Sequence, residues 1–231
     1  MRNPLFEKIE FAATDGLLIT ADLYLAENPK GFMVLCHRSH CNRAEYRETA
    51  PQFNGLGYSC LAIDQRSGMK VFGEVNETKQ RAKAKGLATG YRDAWPDVEA
   101  AVLHGHRLNN GEPIILVGSS YSAALALLLA AQMEEVGAVV CFSPGEYLKG
   151  ISVAQQIAGL AKPVFVSSAK KEIEQTAELV AEVEPRFIHH FKPEVDGFHG
   201  SKTLWKSVPG HETYWRAVKD FLRRVILPMS R

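Results

Sequence analysis

Four stretches of this 231-residue chain are short, nearly unbroken apolar runs: GFMVLCH from Gly31, PIILVGS from Pro113, GAVVCFSP from Gly137 and PVFVSSA from Pro163. Unbroken apolar runs of this length are what strands covered on both faces require. The stretches between and after them carry helical spacing: YRDAWPDVEAAVLHGHRL, YSAALALLLAAQME, SVAQQIAGLA and EIEQTAELVAEV. Strand and helix in alternation build a mostly parallel sheet, because each crossover is right-handed and lays its helix on a face.

The remaining segments extend that sheet. FEKIEFAA and LLITADLYLA alternate and are joined by Thr14-Asp15-Gly16, which predicts an antiparallel hairpin. RAEYRETAPQFNGLG reads as a helix ending in glycines, with Pro51 interrupting its middle. YSCLAIDQR and FIHHFKP read as strands, and HETYWRAVKDFLRRVI as an amphipathic helix closing at Ile226. Ser67 to Gly90, polar and basic, reads as a loop with one or two helical turns. The expected fold is α/β: an eight-stranded, mostly parallel sheet with an N-terminal antiparallel hairpin, helices on both faces, and a single domain over residues 1–231. Reactive side chains then gather at the C-terminal ends of the parallel strands.

Composition narrows the function classes. A net charge of +1 gives no basic surface for nucleic acid or anionic membranes. No apolar run reaches the length of a membrane span, and MRNPLFEKIEFAATDG lacks the apolar core of a secretory signal. Cys36, Cys41, Cys60 and Cys141 form no CxxC pair, so free buried thiols in a reducing, cytoplasmic setting are expected. The histidines show no HExxH pattern, and His104 and His106, two apart on a helix, face different ways. Neither metal nor organic cofactor is expected. A small-molecule partner and a monomeric or homodimeric chain are expected.

The corner ILVGSSYSAALALLLA holds the chemistry. Gly118-Ser119-Ser120-Tyr121-Ser122 falls where a strand gives way to a helix. G-x-S-x-G in that context is a nucleophile elbow, and Ser122 stands at its last glycine. A serine at a helix start also serves as an N-cap. The partners favour the elbow. GFHGSKTLW puts His199 in a loop after the last strand, and PVFVSSAKKEIEQ puts Glu172 after the preceding one. Serine, acid and histidine thus follow in the chain order of that elbow's fold.

At these residues the chain resembles the α/β-hydrolase superfamily, within it the small dienelactone-hydrolase-like and esterase-like serine hydrolases. VLCHRSHCNRAEY resembles the family's strand followed by an HG segment. The resemblance implies hydrolysis of a carboxylic ester or related acyl bond. Ser120 would be the nucleophile, His199 the general base and Glu172 the acid, with Glu146 in FSPGEYL its rival. Ser119 and Ser122 are spacers. The oxyanion donors would be the backbone N–H of Tyr121 and one from Ser39 or Arg38, and the Tyr121 ring would line the pocket or pack on a helix. Three departures stand out: Arg38 for glycine, Ser122 for glycine and Glu172 for aspartate. Arg38 and His40 are candidate substrate contacts, Arg38 either meeting a substrate carboxylate or pairing with Glu45. His37 is structural, Asp64 orders a loop with Arg66 as its partner, and His189 and His190 point to opposite faces. Only residues 145–162 separate the CFSP strand from the next, so no large cap is expected and the site is open, roofed in part by 67–90. The alternatives are a peptidase or thioesterase on the same triad, or a binding protein that keeps the fold.

Overall fold

β1 (Glu7–Ala12) keeps the alternation its sequence shows, with Ile9 and Phe11 turned inward, and it pairs antiparallel with β2 (Leu18–Tyr24). The computed structural model describes residues 5–225; the expected helix end at Ile226 lies outside them. The chain continues through β3 (Gly31–Cys36), α1 (Ala50–Gly55), β4 (Tyr58–Ile63), α2 (Glu77–Ala84), α3 (Trp95–Leu108) and β5 (Ile114–Ser119). It then forms α4 (Tyr121–Ala130), β6 (Val136–Phe142), α5 (Val153–Ile157), β7 (Val164–Ser167), α6 (Ile173–Leu179), β8 (Ile188–His190) and α7 (His211–Arg224). The eight strands run in the order β1-β2-β4-β3-β5-β6-β7-β8, parallel from β4 onward.

The unbroken apolar runs divide their side chains between two cores. Phe32, Val34 and Cys36 of β3 enter one cluster with α3, α4 and α5, while Met33 and Leu35 enter the other with α1 and α7. β5 splits in the same way, Ile114 and Leu116 against Ile115 and Val117. Both faces being dry, neither needs polar positions. All residues of α4 are buried, which fits its uniformly apolar sequence.

Two expectations shift in the structure. RAEYRETAPQFNGLG is not one helix: a 3₁₀ turn at Arg43–Tyr46 is followed by α1, which places Pro51 in its first turn. Proline is tolerated there because that N–H has no helical acceptor. Asp64 is not paired with Arg66. Its carboxylate meets Arg43 Nη1 at 2.8 Å and the Glu77 amide at 3.1 Å, while Arg66 pairs with Asp97 and Asp15. The 67–90 segment holds the two-turn α2, capped by Asn76, and Asn42 Nδ2 ties its preceding loop through the carbonyls of Met69, Val71 and Glu74. From this loop Phe72 reaches Trp205, ring centroids 5.4 Å apart, in the segment that follows His199. Among the described residues no helix is long and apolar enough to cross a membrane.

Candidate active site

Ser120 sits in a backbone conformation that its neighbours enforce. Its φ of 61° and ψ of −125° lie in a region L-residues rarely adopt, and its side chain makes no cap hydrogen bond to α4. The N-cap reading therefore does not describe this serine. Gly118 is required behind it: a Cβ there would stand 2.4 Å from Ala123 Cα, so only glycine lets α4 pack against β5. Ser122 at the last elbow position is not an empty spacer. Its hydroxyl donates to the His37 carbonyl at 2.5 Å and accepts from Gln65 Nε2 at 2.6 Å. Ser119 is likewise engaged, donating to Glu45 Oε1 at 2.9 Å and accepting from the Ser201 amide at 2.9 Å.

The loops after β7 and β8 bring two more groups to this corner. His199 Nε2 is 2.9 Å from Ser120 Oγ, and His199 Nδ1 is 2.8 Å from Glu172 Oε1. Burial alone would raise the Glu172 carboxyl, but hydrogen bonds from His199 and Ser143 and the adjacent imidazole outweigh it and hold the group below the usual carboxylate range. A carboxylate only accepts, so Nδ1 carries the ring proton, and in the neutral ring Nε2 is left to accept from the Ser120 hydroxyl. The arrangement can therefore draw a proton from Ser120 and stabilise the resulting imidazolium. Glu146, the rival acid, is occupied elsewhere: its oxygens accept the Val153 and Ala154 amides at 2.7 and 2.9 Å and cap α5.

The other sequence-predicted residues divide. Tyr121 does not line a pocket with its ring. The ring is fully buried, stacked on Tyr91 at 4.4 Å, with its hydroxyl bound to Gln65 and Ser67. Its N–H begins α4 and has no helical acceptor. The Arg38 N–H donates to Glu45 Oε2 at 2.9 Å, which removes it from the candidate oxyanion donors, while Ser39 follows half-buried in the turn. The Arg38 guanidinium lies over the Phe198 ring, 5.8 Å from its centroid. His40 is exposed in a turn with φ of 55°. His37 is structural: buried, it holds the Gln65 amide through Nε2 and the Arg38 carbonyl through Nδ1, and burial pushes its imidazole down to about 4. His189 stacks toward Phe165 while His190 meets Thr176, on opposite faces as alternation requires.

Three contributors, Ser143, Tyr147 and Ser201, escaped the sequence reading, and Glu45 entered it only as a partner for Arg38. Ser143, just past β6 at φ 52°, donates to Glu172 Oε2 at 2.7 Å and accepts the Gly200 amide at 3.0 Å. Tyr147 stands edge-on to His199, centroids 6.5 Å apart, with its hydroxyl near the Ser143 carbonyl and the Ser120 side chain. Glu45 and Ser201 complete the surroundings through a 2.5 Å hydrogen bond. Ser143 could have been found by its place at a strand's C-terminal end, the position that marked Glu172. A cavity of about 430 Å³ lined by His189, Phe191, Arg216 and Arg224 receives none of these groups.

Sheet order, elbow and loop placement together define an α/β hydrolase. The chain belongs to the serine aminopeptidase family (Hydrolase_4), whose model matches residues 27–217. Solved structures share the fold at low identity. An esterase of Pyrococcus furiosus superposes with a TM-score of 0.72 at 18% identity, covering 96% of this chain and 91% of that one. A dienelactone hydrolase of Anabaena variabilis gives 0.69 at 15%, covering 96% and 99%. An alpha/beta hydrolase of Penicillium sp. gives 0.72 at 14%, covering 97% and 99%. No curated protein matches the chain in sequence.

Proposed function

We propose that this chain is a serine esterase that cleaves a small or medium carboxylic ester through Ser120, His199 and Glu172. The observation that carries the reading is the continuous hydrogen-bond chain from Ser120 Oγ through His199 to a Glu172 carboxylate, with Ser120 held at positive φ. Ser120 Oγ attacks the acyl carbon as its proton passes to His199 Nε2. The oxyanion receives the backbone N–H groups of Tyr121 and Ser39, each such donor typically contributing about 3 kcal/mol to the transition state. The alcohol leaves with the proton from His199, giving an acyl-enzyme. Water, deprotonated by the same nitrogen, then releases the acid and restores Ser120. Arg38 and His40 stand on the turn beside this site and would meet the outer part of the substrate.

The family's description favours a second reading, cleavage of a peptide at its N-terminal residue. An aminopeptidase has to hold a substrate ammonium. Beside His199 the chain presents two cations, Arg38 and Lys202, 5.8 and 4.2 Å from the Phe198 ring centroid. Glu45 Oε1 lies 3.8 Å from Arg38 Nε, whereas among the described residues no carboxylate pairs with Lys202. That charge supports a neutral or anionic ester over a peptide with a free N-terminus. A panel of p-nitrophenyl esters and aminoacyl p-nitroanilides decides it. The account expects ester turnover, lost in Ser120→Ala, and negligible anilide turnover. Anilide turnover exceeding that of the esters would make the chain a peptidase.

A further inference from the structure

Glu45 is fully buried, yet no arginine or lysine forms a close ion pair with it; the nearest cationic atom, Arg38 Nε, is 3.8 Å away and has no hydrogen-bond partner. A buried carboxylate so weakly paired persists only where hydrogen bonds satisfy its oxygens. Here they come from three separate loops. Oε2 accepts the Arg38 N–H, on the loop that leads to Ser39. Oε1 accepts the Ser119 hydroxyl, one residue before Ser120, at 2.9 Å and the Ser201 hydroxyl, two residues after His199, at 2.5 Å. The Glu45 carbonyl also accepts Trp205 Nε1 at 3.1 Å, further along the histidine segment.

We infer that Glu45 is a positioning residue for the proposed hydrolysis, one carboxylate that holds the oxyanion loop, the serine elbow and the histidine loop in register. The inference rests on the serine-hydrolase reading above. Its chemical logic is that of donors and acceptors. Two hydroxyl protons and one amide proton converge on Glu45, and a carboxylate accepts all three. An amide nitrogen accepts none, so the isosteric Glu45→Gln leaves either the two hydroxyl protons or the Arg38 N–H without an acceptor. The packing around Gly200 shows how closely the parts are fitted. A Cβ at Gly200 would lie 2.5 Å from Ser119 Oγ and 3.4 Å from Arg38 Cδ, so the three loops meet without spare volume. A shift of one therefore displaces Ser120, Ser39 or His199 relative to the others, and catalysis is sensitive to such displacements.

The test is the second-order rate of fluorophosphonate labelling of the folded protein, with kcat and KM for a neutral ester beside it. Glu45→Gln should label about 100-fold more slowly and lose kcat to the same degree, with KM within about threefold. Ser119→Ala and Ser201→Ala should each lose about 5–10-fold. Their effects should not multiply with that of Glu45→Gln, because they act through the same oxygen. Glu48→Gln, one turn away, whose carboxylate accepts the Lys206 amide rather than any of these three loops' hydroxyls, should label like wild type. A folded Glu45→Gln protein that labels within twofold of wild type overturns the inference. If that variant does not fold, wild-type labelling rates in both serine variants overturn it. A wild-type protein that takes no label overturns the hydrolase reading, and this inference with it.

Discussion

Two sets of charges, most of them buried, surround the loops that leave β3 and β4, and they are built on opposite rules. In the first, carboxylates meet guanidinium groups. Arg43 lies 2.8 Å from both Asp22 and Asp64, and Arg66 lies 2.7 Å from Asp97 and 2.6 Å from Asp15. In the second, Glu172 and Glu45 accept from hydroxyls, amides and an imidazole instead. The difference teaches what burial of a charge is for. A guanidinium fork fixes a carboxylate and closes it to other partners, which suits an anchor. Hydroxyls and an imidazole hold a carboxylate while leaving protons able to move, which suits chemistry. The first set ties down the segment from Asp64 to α2, and the second surrounds Ser120.

The largest effect should come from breaking the second set at Glu172. Glu172→Gln should lower kcat about 10³–10⁴-fold, since the amide misorients the imidazole and cannot stabilise its cation. Glu146→Gln should stay within about twofold in kcat and cost about 1 kcal/mol in stability as a weakened helix cap. Ester kinetics and chemical denaturation of both variants check the ranking; the reverse order would move the acid to the loop after β6.

Breaking the first set should do the opposite. Arg43→Met strands Asp22 and Asp64 in the interior and should destabilise the fold by about 3–5 kcal/mol while kcat of the remaining folded protein changes little. Urea unfolding with kinetics below the transition measures both. An Arg43 variant that keeps its stability but loses kcat would erase the distinction between the two sets.

His37 lies between them and gives a pH test. Its folded imidazole titrates near 4, below the ordinary 6.5, because burial opposes the charge. As pH falls below 6.5 the unfolded chain takes the proton first. The stability present above 6.5 is therefore lost progressively down to about 4, by on the order of 3 kcal/mol. His37→Gln removes this group, so the stability gap between wild type and variant should narrow from pH 7.5 to 4.5. A constant gap over that range would contradict it.

The smallest effect concerns Arg38. Its guanidinium lies over Phe198, next to His199, and would meet a carboxylate on the substrate. Arg38→Ala should reduce the ratio of kcat/KM for an anionic ester over a neutral one of equal size by about tenfold. An unchanged ratio leaves Arg38 a packing residue.

The fold was readable because the central buried strands announce themselves by unbroken apolar runs, and Ser120, Glu172 and His199, which the structure joins in one hydrogen-bond chain, because each stands just past a strand end in a fixed order. What escaped depends on which strands become neighbours. Ser143 meets Glu172 across 29 residues, Ser119 meets Glu45 across 74 and Ser201 meets Glu45 across 156. Those pairings follow from the sheet order β4-β3-β5-β6-β7-β8, which local spacing does not encode. Asp64 shows the same limit: Arg66 is near in sequence, but Arg43, 21 residues earlier, is the partner in space. Ser122 shows another. By position it reads as a spacer, whereas its hydroxyl bridges the His37 carbonyl and Gln65.

The central claim is that Ser120 is an activated nucleophile, and covalent trapping tests it most directly. Wild-type protein is inactivated with a fluorophosphonate, digested, and the adduct located by peptide mass spectrometry. The account predicts one adduct per chain, on Ser120, formed in proportion to the loss of ester turnover and absent from His199→Ala. An adduct on Ser119 or Ser122, or full ester turnover with no adduct, would contradict it.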